Sequence, residues 1–546
     1  MPDAFVTETP EALCADADRR MAAGDAQAAF RALKAAVEHF PDHAAAYAPL
    51  AALLAGAGHR GQAMEIASRG LSLTRDAAGR SILAQVLTDS LSSLKPTAWH
   101  PRLEADLLVC LGDPAVDVQR LARVTARTLL LKVDSPVVGD ELWLGFLSDC
   151  INVDAEMERR IVALRAGATD PDLICALALQ AFANEHLLEP VGRTGLAAAL
   201  DRPLTNLEIA ALAPEHGDRP LFRTLVQRSV EAPAQERAIK VSLRRLERPK
   251  DAVSIAVRDQ YEANPYPRWR VPPPIGPGLG PVLERFGVRG RTVLVAGCGT
   301  GFEPIDLAQS DPPLEITALD LSDASLAYAQ RMARGLGLHQ IDFVQGDILG
   351  VAALGRTFDV ITSTGVLHHM DDPAEGLARL AAVLEPGGIM RLALYSRRAR
   401  EPVRMARDAI AAAGWAATPD GVRALRREVF GRPPGDPRSR LALSDDFYSL
   451  SGCRDLVFHA CEHGHGPLDL PRMAAGAGLV WRGFDLTPLM VQAFRTRFGA
   501  EADIGDPALW DRLEAAETTL FSEMMHFWLQ KPAGGADAAC VPPVRA

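Results

Sequence analysis

The stretch RTVLVAGCGTG at residues 291–301 constrains the fold more than any other part of the chain. Its first half is a run of β-branched and other apolar residues, typical of a strand buried on both faces of a parallel sheet. A G-x-G-x-G turn follows, and then an amphipathic segment, FEPIDLAQS. Glycines at such a turn let the backbone pass close to a nucleotide-like ligand beside a helix N-terminus. The stretch therefore predicts an α/β domain with a ligand at this turn.

Further strands follow, and several of them end in acidic or small residues. A predicted second strand, EITALD, ends at Asp320, where a carboxylate can accept hydrogen bonds from ribose hydroxyls. A third strand, IDFVQ, is followed by Gly346 and Asp347, and FDVITS forms a fourth. The sequence EPGG at 385–388 predicts a turn into a fifth strand, IMRLALYS.

In this order, the signals over 291–396 resemble the class I S-adenosylmethionine-dependent methyltransferases. That family shares the glycine loop, the acidic end of strand two, the Gly-Asp after strand three, the Phe-Asp-Val strand and the Pro-Gly-Gly turn. Nicotinamide oxidoreductases usually show G-x-G-x-x-G and lack the last two signals. The resemblance implies a Rossmann-like seven-stranded domain over 291–532, with strand six at 479–486 and strand seven at 525–531.

The same resemblance implies S-adenosyl-L-methionine as the cofactor and assigns residues to its site. They are Gly297, Cys298, Gly299, Gly301, Asp320, Leu321, Asp347, Ile348, Ser363, Thr364 and Leu367. The glycines would flank the methionine portion, Asp320 would bind the ribose, Asp347 with Ile348 the adenine, and 363–367 would face the sulfonium. Alternative interpretations stay open: Cys298 is a small packed residue rather than a nucleophile, and Asp347 caps a helix.

The N-terminal part repeats a pattern of small residues at an offset of 34. Gly24, Ala29, Leu33 and Ala36 recur as Gly58, Ala63, Ala67 and Gly70. This period resembles the tetratricopeptide repeat, in which small residues let two antiparallel helices approach closely. Alanine-rich helical hairpins that match by chance are the alternative. We predict helical repeats over 1–76 and, from periodicity without a repeat, a helical domain over 77–250.

The nine residues YEANPYPRW at 261–269 hold three aromatic rings and two prolines, in a chain that is 6% aromatic. The proline- and glycine-rich stretch that follows breaks any helix and marks a domain boundary. We predict a linker and candidate cofactor lid over 251–290, in which Tyr261 and Tyr266 close the cofactor pocket and exclude water. Plain packing between domains is the alternative.

An insertion of the predicted domain, at 397–478, lies where related folds carry a substrate lid, and its pattern is largely helical. The candidate catalytic residues are His368, the first choice for a general base, and His459 and His463 in the insertion. Turn-forming or supporting roles compete with catalysis at each. The run HACEHGH fits no zinc-finger spacing, so no metal site is predicted. A flexible tail is predicted at 533–546.

Composition narrows the classes of function. A chain with 48% hydrophobic and 23% charged residues and a formal charge of -11 is typical of a globular protein with an acidic surface. Wrapping of nucleic acid is therefore disfavoured. The N-terminus has early acidic residues and no apolar run of signal-peptide type, so we expect a cytoplasmic protein without a membrane partner. The eight cysteines form no CxxC pair, as expected of reduced thiols.

These inferences predict methyl transfer to a protein or peptide acceptor recruited by the helical N-terminal half. A small-molecule methyltransferase, with the helical half used for dimerisation or pocket cover, is the alternative, and a non-catalytic cofactor-binding scaffold is a third. Base-amino methylases carry an N-P-P-Y type motif at the end of strand four, where this chain has STGVLHH. The acceptor atom and the oligomeric state stay open.

Overall fold

The computed structural model describes residues 9–114, 116–132, 135–247, 249–272, 278–309 and 313–533. The chain divides into two compact units, Met1–Val230 and Glu231–Ala546. The helices of the first unit are α1 (Pro10–Ala22), α2 (Ala26–His39), α3 (Tyr47–Gly56), α4 (Arg60–Leu73), α5 (Ala77–Leu91), α6 (Pro101–Leu111), α7 (Ala122–Leu130), α8 (Glu141–Asp149), α9 (Ala155–Gly167), α10 (Pro171–Ala183), α11 (Asn206–His216) and α12 (Pro220–Val226). Short 3-10 turns lie at Ala44–Ala46, Val118–Leu121 and Gly195–Leu200.

The helix pairs α1–α2 and α3–α4 carry the predicted repeat. The alanines at the repeat positions are buried, with Ala29, Ala36, Ala63 and Ala67 fully shielded from solvent, whereas Gly24 and Gly58 are exposed in the turns between the helices. At Gly70 a Cβ atom would lie 2.7 Å from the Cβ of Tyr47, so the close approach of α4 to α3 requires glycine there. The small-residue pattern thus has the packing role that its period predicts.

Aspartates fix where several helices of this unit begin. Asp76, Asp140 and Asp170 each accept a hydrogen bond from the backbone N–H three residues later, at 2.7–3.0 Å. Such caps satisfy N–H groups that have no partner inside the helix and contribute about 1 kcal/mol each. The helix starts are therefore readable in the sequence, although they point to no chemistry.

The second unit is a twisted sheet covered by helices. Its strands are β1 (Arg244–Arg245), β2 (Thr292–Ala296), β3 (Glu315–Asp320), β4 (Ile341–Gln345), β5 (Phe358–Thr364), β6 (Leu384–Leu394), β7 (Val480–Phe484) and β8 (Met525–Gln530). Its helices are α13 (Ala232–Ser242), α14 (Ala252–Ala263), α15 (Gly280–Phe286), α16 (Phe302–Ala308), α17 (Asp323–Gly335), α18 (Pro373–Val383), α19 (Glu401–Ala413), α20 (Pro419–Phe430), α21 (Leu450–Val457), α22 (Asp469–Gly476), α23 (Pro488–Phe498) and α24 (Pro507–Ala516).

Within the described residues the strand order is β1-β4-β3-β2-β5-β6-β8-β7. Pairing is parallel from β1 to β6, and β8 runs antiparallel to both β6 and β7. Ala296 of β2 pairs with Leu319 of β3, and Asp320 pairs with Gln345 of β4. The register therefore brings the carboxyl ends of β2, β3 and β4 to one edge of the sheet, where ligands bind in open α/β folds.

The two faces of the sheet build two separate cores. Leu294 and Ala296 of β2 belong to a cluster on one face, whereas Val293 and Val295 belong to a cluster on the other. This alternation follows from the two-residue period of a strand. Because both faces are buried, β2 reads as an unbroken apolar run, and this is the signal that made it recognisable in the sequence.

The Rossmann-like sheet predicted from the sequence is confirmed, with the seven predicted strands present as β2–β8. Two details differ. The two-residue strand β1 extends the sheet beside β4, and its residues belong to the second unit although they precede residue 250. The EPGG segment lies inside β6 as an irregularity in its pairing with β5, rather than as a turn before it. The tail predicted at 533–546 lies, after its first residue, outside the described residues.

In the part of the chain that the structure describes, no helix has both the length and the apolar composition that crossing a bilayer requires.

Candidate active site

A cavity of about 610 Å³ lies at the carboxyl edge of the sheet. Its volume is within the range of small-molecule sites in proteins. The predicted site residues that line it are Tyr261, Tyr266, Gly297, Cys298, Gly299, Asp320, Leu321, Asp347, Ile348 and Thr364. They come from α14, the segment after it, and the ends of β2, β3, β4 and β5. The topology thus assembles one cavity from residues that are separated by more than 100 positions in the chain.

Glycine is required at two positions of the loop after β2. Gly297 has φ of +78°, and a Cβ atom there would lie 2.4 Å from a methyl group of Val366. Gly301 has φ of +86°, and a Cβ atom there would lie 2.4 Å from the Cβ of Ala329 on α17. The first glycine keeps the cavity wall open, and the second lets α16 begin against α17.

Asp320 is held rigidly at the end of β3. Its Oδ2 accepts a hydrogen bond from Gly299 N–H at 2.8 Å, and its Oδ1 accepts one from Ser322 N–H at 2.9 Å. Burial raises the pKa of this carboxyl to about 6, against the opposing effect of these backbone donors. Each oxygen of a carboxylate can accept more than one bond, so Asp320 can serve the glycine loop and a ligand together.

The raised pKa of Asp320 gives a pH prediction. If ionised Asp320 accepts the hydrogen bonds of a bound ribose, affinity for the cofactor should fall as pH decreases through about 6, approaching tenfold per unit below it. The contribution of Asp320 to folding has the opposite sign. Its pKa is higher in the folded than in the unfolded chain, so this contribution increases as pH falls from about 6 towards 4. Calorimetric titration of the ligand between pH 5 and 7.5 tests the first effect, and the variant Asp320→Asn should show no such dependence on pH.

Asp347 both lines the cavity and caps a turn. Its Oδ1 accepts a hydrogen bond from Leu349 N–H at 2.9 Å, at the start of the 3-10 turn Ile348–Leu354. One oxygen of Asp347 therefore caps the turn, as the alternative interpretation expects. Because the residue also lines the cavity, its position is compatible with the adenine role as well.

Three residues predicted for the cofactor site lie behind the cavity wall rather than in it. Gly301 packs against α17. Ser363 is buried and its hydroxyl donates to Ala296 O at 2.8 Å, which ties β5 to β2. Leu367 belongs to the apolar core. For Ser363 and Thr364 the resemblance gave position along the chain but not direction, and neighbours on one strand point to opposite sides of the sheet.

Side chains of the YEANPYPRW segment form hydrogen bonds on both sides of the cavity. Tyr261 donates to Asp455 and Tyr266 donates to Asp446, so both hydroxyls bond the insertion. Trp269 Nε1 donates to Thr300 O at 3.0 Å and fixes the far end to the glycine loop. Both tyrosines line the cavity, and their hydrogen bonds also join parts of the fold, so the lid and packing interpretations describe one arrangement.

The insertion supplies the wall at one end of the cavity, which we call the acceptor end and define by Tyr395, Arg400, Asp446 and Asp455. Arg400 lies 4.0 Å from the centre of the Tyr395 ring and pairs through Nε with Glu462 at 3.0 Å. Burial raises the pKa of Asp455 to about 7, and it also raises the pKa of Asp446. These polar groups, of which Asp455 is buried and the others are half-buried, converge on a space that a substrate atom could enter.

Among the histidines of the region, His369 is the one that lines the cavity. His368 is buried behind it against the Tyr395 ring, with Nδ1 accepting Tyr395 N–H at 3.4 Å. His459 is buried and stacks on His369, with ring centres 3.5 Å apart. His463 is half-buried, and its Nε2 lies 3.4 Å from Cys461 Sγ. The candidates His368, His459 and His463 thus stand next to the cavity wall rather than in it.

Burial also shifts the pKa of two further groups of the cavity wall, Glu303 and Cys298. It raises the pKa of Glu303, which lines the cavity from the first turn of α16. It raises the pKa of the Cys298 thiol well above its usual range, consistent with a packed thiol rather than a nucleophile. Glu303 had no motif of its own in the sequence, and only its place two residues after Gly301 could have indicated it.

Comparison with known proteins agrees with this architecture. Residues 293–388 match a family model described as a methyltransferase domain, and residues 20–86 match a model described as a tetratricopeptide repeat. The first match runs from the glycine loop through the EPGG segment, and the second covers α2, α3 and α4 together with the end of α1 and most of α5. The first match lies inside the predicted methyltransferase domain, and the second overlaps the predicted repeats and extends beyond them to residue 86.

Similar proteins cover parts of the chain. An uncharacterized protein of Synechococcus is 35% identical over 259 residues, which are 43% of this chain and 60% of that protein. A malonyl-[acyl-carrier protein] O-methyltransferase of Halalkalibacterium halodurans is 32% identical, over 19% of this chain and 39% of the relative. A ubiquinone biosynthesis O-methyltransferase of Pseudomonas paraeruginosa is 32% identical, over 21% and 48%. The chain thus spans between 39% and 60% of the length of these relatives.

Among solved structures, PKMT2 from Rickettsia typhi is similar in fold, with 16% identity and a TM-score of 0.37. The similarity covers 47% of this chain and 53% of that one.

Proposed function

Because the chain carries a class I methyltransferase domain together with tetratricopeptide repeats, we propose that it binds S-adenosyl-L-methionine and transfers the methyl group to an acceptor. One observation carries the proposal. The glycine loop, Asp320 and Asp347 line a single cavity at the carboxyl ends of three adjacent parallel strands. The end of β2 suits the methionine portion of the cofactor, the end of β3 suits the ribose, and the end of β4 suits the adenine.

Each portion of the cofactor has a matching group in the cavity. The backbone at Gly297 and Gly299 lies beside the methionine portion, and the Asp320 carboxylate accepts the ribose hydroxyls. Asp347 and Ile348 contact the adenine. Thr364, at the end of β5, lines the same cavity and is the residue that we assign to the sulfonium side. Two of the matched relatives are themselves named as O-methyltransferases, which supports methyl transfer without identifying the acceptor here.

In methyl transfer the bonds that form and break belong to the acceptor and the cofactor, so no covalent bond to the protein is needed. The acceptor's lone pair forms a bond to the methyl carbon, the carbon–sulfur bond breaks, and its electrons neutralise the sulfonium to give S-adenosylhomocysteine. The cavity must align the acceptor with this bond and exclude water. Tyr261 and Tyr266 provide half-buried aromatic cover. We do not propose His368, His459 or His463 as bases, since none of them is in the cavity wall.

For the acceptor, the repeats favour a protein or peptide. Stacked helical pairs present an extended surface that suits an extended chain, and residues 20–86 match that class of repeat. A small-molecule acceptor is the second candidate, favoured by the polar groups of the acceptor end. Labelled-methyl incorporation in a lysate from a strain lacking this protein, read by mass spectrometry, names the acceptor without presupposing its class.

Deleting residues 1–230 then distinguishes the two acceptors. The cut follows the division between the units and keeps α13 and β1 with the sheet. If the repeats recruit the acceptor, the truncated chain should bind S-adenosyl-L-methionine normally while KM for the acceptor rises about tenfold or more, a loss of about 1.4 kcal/mol. Circular dichroism and cofactor binding serve as controls for folding. Unchanged acceptor kinetics in a folded truncation would reject recruitment by the repeats.

A further inference from the structure

Behind the acceptor end, the structure brings together three side chains whose atoms can bind a metal. Ligand atoms of His369, Asp455 and His459, one from each residue, lie within 4.8 Å of one another, and all three residues are buried. Residue 369 precedes the insertion and the other two belong to it, so the cluster exists only in the folded unit. Two histidines and one carboxylate are a ligand set of catalytic zinc and non-haem iron sites.

The hydrogen bonds at the two imidazoles leave one nitrogen of each ring for a ligand. Nδ1 of His369 and Nδ1 of His459 lie 2.8 and 2.9 Å from the same carbonyl oxygen, that of Cys461. A carbonyl only accepts, so each Nδ1 carries a proton and each Nε2 presents a lone pair. Histidines that bind metals commonly donate their other ring N–H to a backbone carbonyl, which fixes the tautomer and the ring orientation.

The Nε2 lone pairs of His369 and His459 lack well-directed hydrogen-bond donors. The rings of His369 and His459 are stacked at 3.5 Å with planes 17° apart, and both Nδ1–H groups point at one oxygen. Their dipoles are therefore aligned side by side, an unfavourable arrangement that a cation at the Nε2 atoms would relieve. Tyr261 lies 3.3 Å from His459 Nε2, but its proton is directed to Asp455. No described residue donates to His369 Nε2.

The charges around the cluster also favour a divalent cation. Asp446, Asp455 and Glu462 are formally three negative charges, and Arg400 offsets one of them through its pair with Glu462. Arg426 lies beyond this group, directed at Phe447 O and the aromatic rings beside it. Arg407 acts on both imidazoles as well and offsets a second charge, so one formal negative charge stays in this region, where uncompensated charge is costly.

From the ligand set, the tautomers and the charge, we propose that His369, Asp455 and His459 bind one divalent transition-metal ion such as Zn²⁺, with an open coordination position facing the cavity. His369 and Asp455 line the cavity, so a ligand that enters it can reach the ion. Zinc–nitrogen bonds of about 2.0–2.1 Å require the two stacked rings to tilt until their Nε2 lone pairs converge on the ion, with Asp455 moving towards them. This departs from our expectation of no metal, which considered only the spacing within the HACEHGH run.

The site does not depend on the proposed function. If methyl transfer also holds, the ion would bind an oxygen or sulfur atom of the acceptor and increase the fraction of it that is deprotonated, a consequence that rests on that function.

Metal binding by the full-length chain, purified without a polyhistidine tag, tests the proposal without the cofactor. After treatment with a chelator, the protein is dialysed against Zn²⁺, and retained zinc is measured by elemental mass spectrometry. We expect one zinc per chain, and Co²⁺ in its place should give the visible absorption of a low-coordinate site. His459→Ala and Asp455→Asn should each weaken binding at least about tenfold. His339→Ala, which removes an exposed histidine of the same unit, should bind like the wild type.

Two outcomes would overturn the proposal: a folded wild-type chain that retains no zinc, or folded His459→Ala and Asp455→Asn variants that retain a full equivalent. If either variant fails to fold, the wild type alone decides. An anomalous difference map at the zinc edge, from crystals of the zinc-treated chain, must show a peak between the three side chains. A peak elsewhere, or none, rejects the site. Normal binding of S-adenosyl-L-methionine in the same preparation would show that such a failure leaves the proposed function intact.

Discussion

Replacing Asp320 with alanine is expected to weaken binding of S-adenosyl-L-methionine by about 100-fold or more. The carboxylate would accept two ribose hydroxyls, and hydrogen bonds to a charged group contribute about 1.5–3 kcal/mol each. Since 1.4 kcal/mol corresponds to a factor of ten, two lost bonds account for at least that decrease. Isothermal titration calorimetry of the full chain measures it directly.

Two further variants show whether the loss arises at the ribose. Asp320→Asn keeps one oxygen to accept from the glycine loop and removes the charge, so it should lie between wild type and alanine. Asp342→Ala removes an exposed carboxylate on the neighbouring strand β4, where it bonds Arg244 at 2.8 Å. That variant should bind the cofactor like the wild type. Equal affinity of Asp320→Ala and wild type would remove Asp320 from the cofactor site.

Replacing Gly301 with alanine is expected to destabilise the second unit by about 2–5 kcal/mol. A left-handed backbone costs a residue with a Cβ about 1–2 kcal/mol, and overpacking costs about 1–3 kcal/mol more. Both terms apply, because φ is +86° and the new Cβ would lie 2.4 Å from that of Ala329. Urea unfolding followed by tryptophan fluorescence gives the change in unfolding free energy.

Gly337 provides the matched control. It also has positive φ, +72°, but no atom lies within 4 Å of the position of a Cβ there. Gly337→Ala should therefore show the backbone term alone, about 1–2 kcal/mol. The difference between the two variants isolates the contact between the glycine loop and α17. Similar losses in both would mean that the loop relaxes away from Ala329, contrary to the close packing described above.

The sequence predicted the parts of the site that depend on local pattern. The apolar run of β2, the glycines after it and Asp320 at the end of β3 all lie within about thirty residues, and strand periodicity is enough to place them. Parallel pairing then brings the strand ends together at one edge, as fold rules require. Strand β1 escaped prediction because two arginines carry no strand pattern, and they pair with β4 only once the sheet exists.

The acceptor end could not be predicted in the same way. Arg400 stands among four other arginines near the start of the insertion, and only its burial against Tyr395 and Glu462 distinguishes it. The stack of His369 on His459 joins residues ninety positions apart, a contact that no periodicity encodes. His368 and His369 look equivalent in the sequence, yet the 3-10 turn Leu367–His369 directs the second to the cavity and the first behind Tyr395.

In the YEANPYPRW segment, too, local pattern predicted one part of the structure and contacts between distant residues decided the rest. Its composition predicts a rigid, aromatic boundary beside the cofactor domain, and both tyrosines do line the cavity. Its partners, Asp446 and Asp455, lie 180 and 194 positions away in the insertion, so the sequence alone left lid and packing as alternatives.

Calorimetric titration of the full-length chain with S-adenosyl-L-methionine tests the central claim most directly. The account predicts one cofactor bound per chain, with affinity that falls below pH 6 and is about 100-fold or more weaker in Asp320→Ala. Correctly folded protein that releases no heat of binding over a range of temperatures, and whose melting temperature the cofactor does not change, would contradict it.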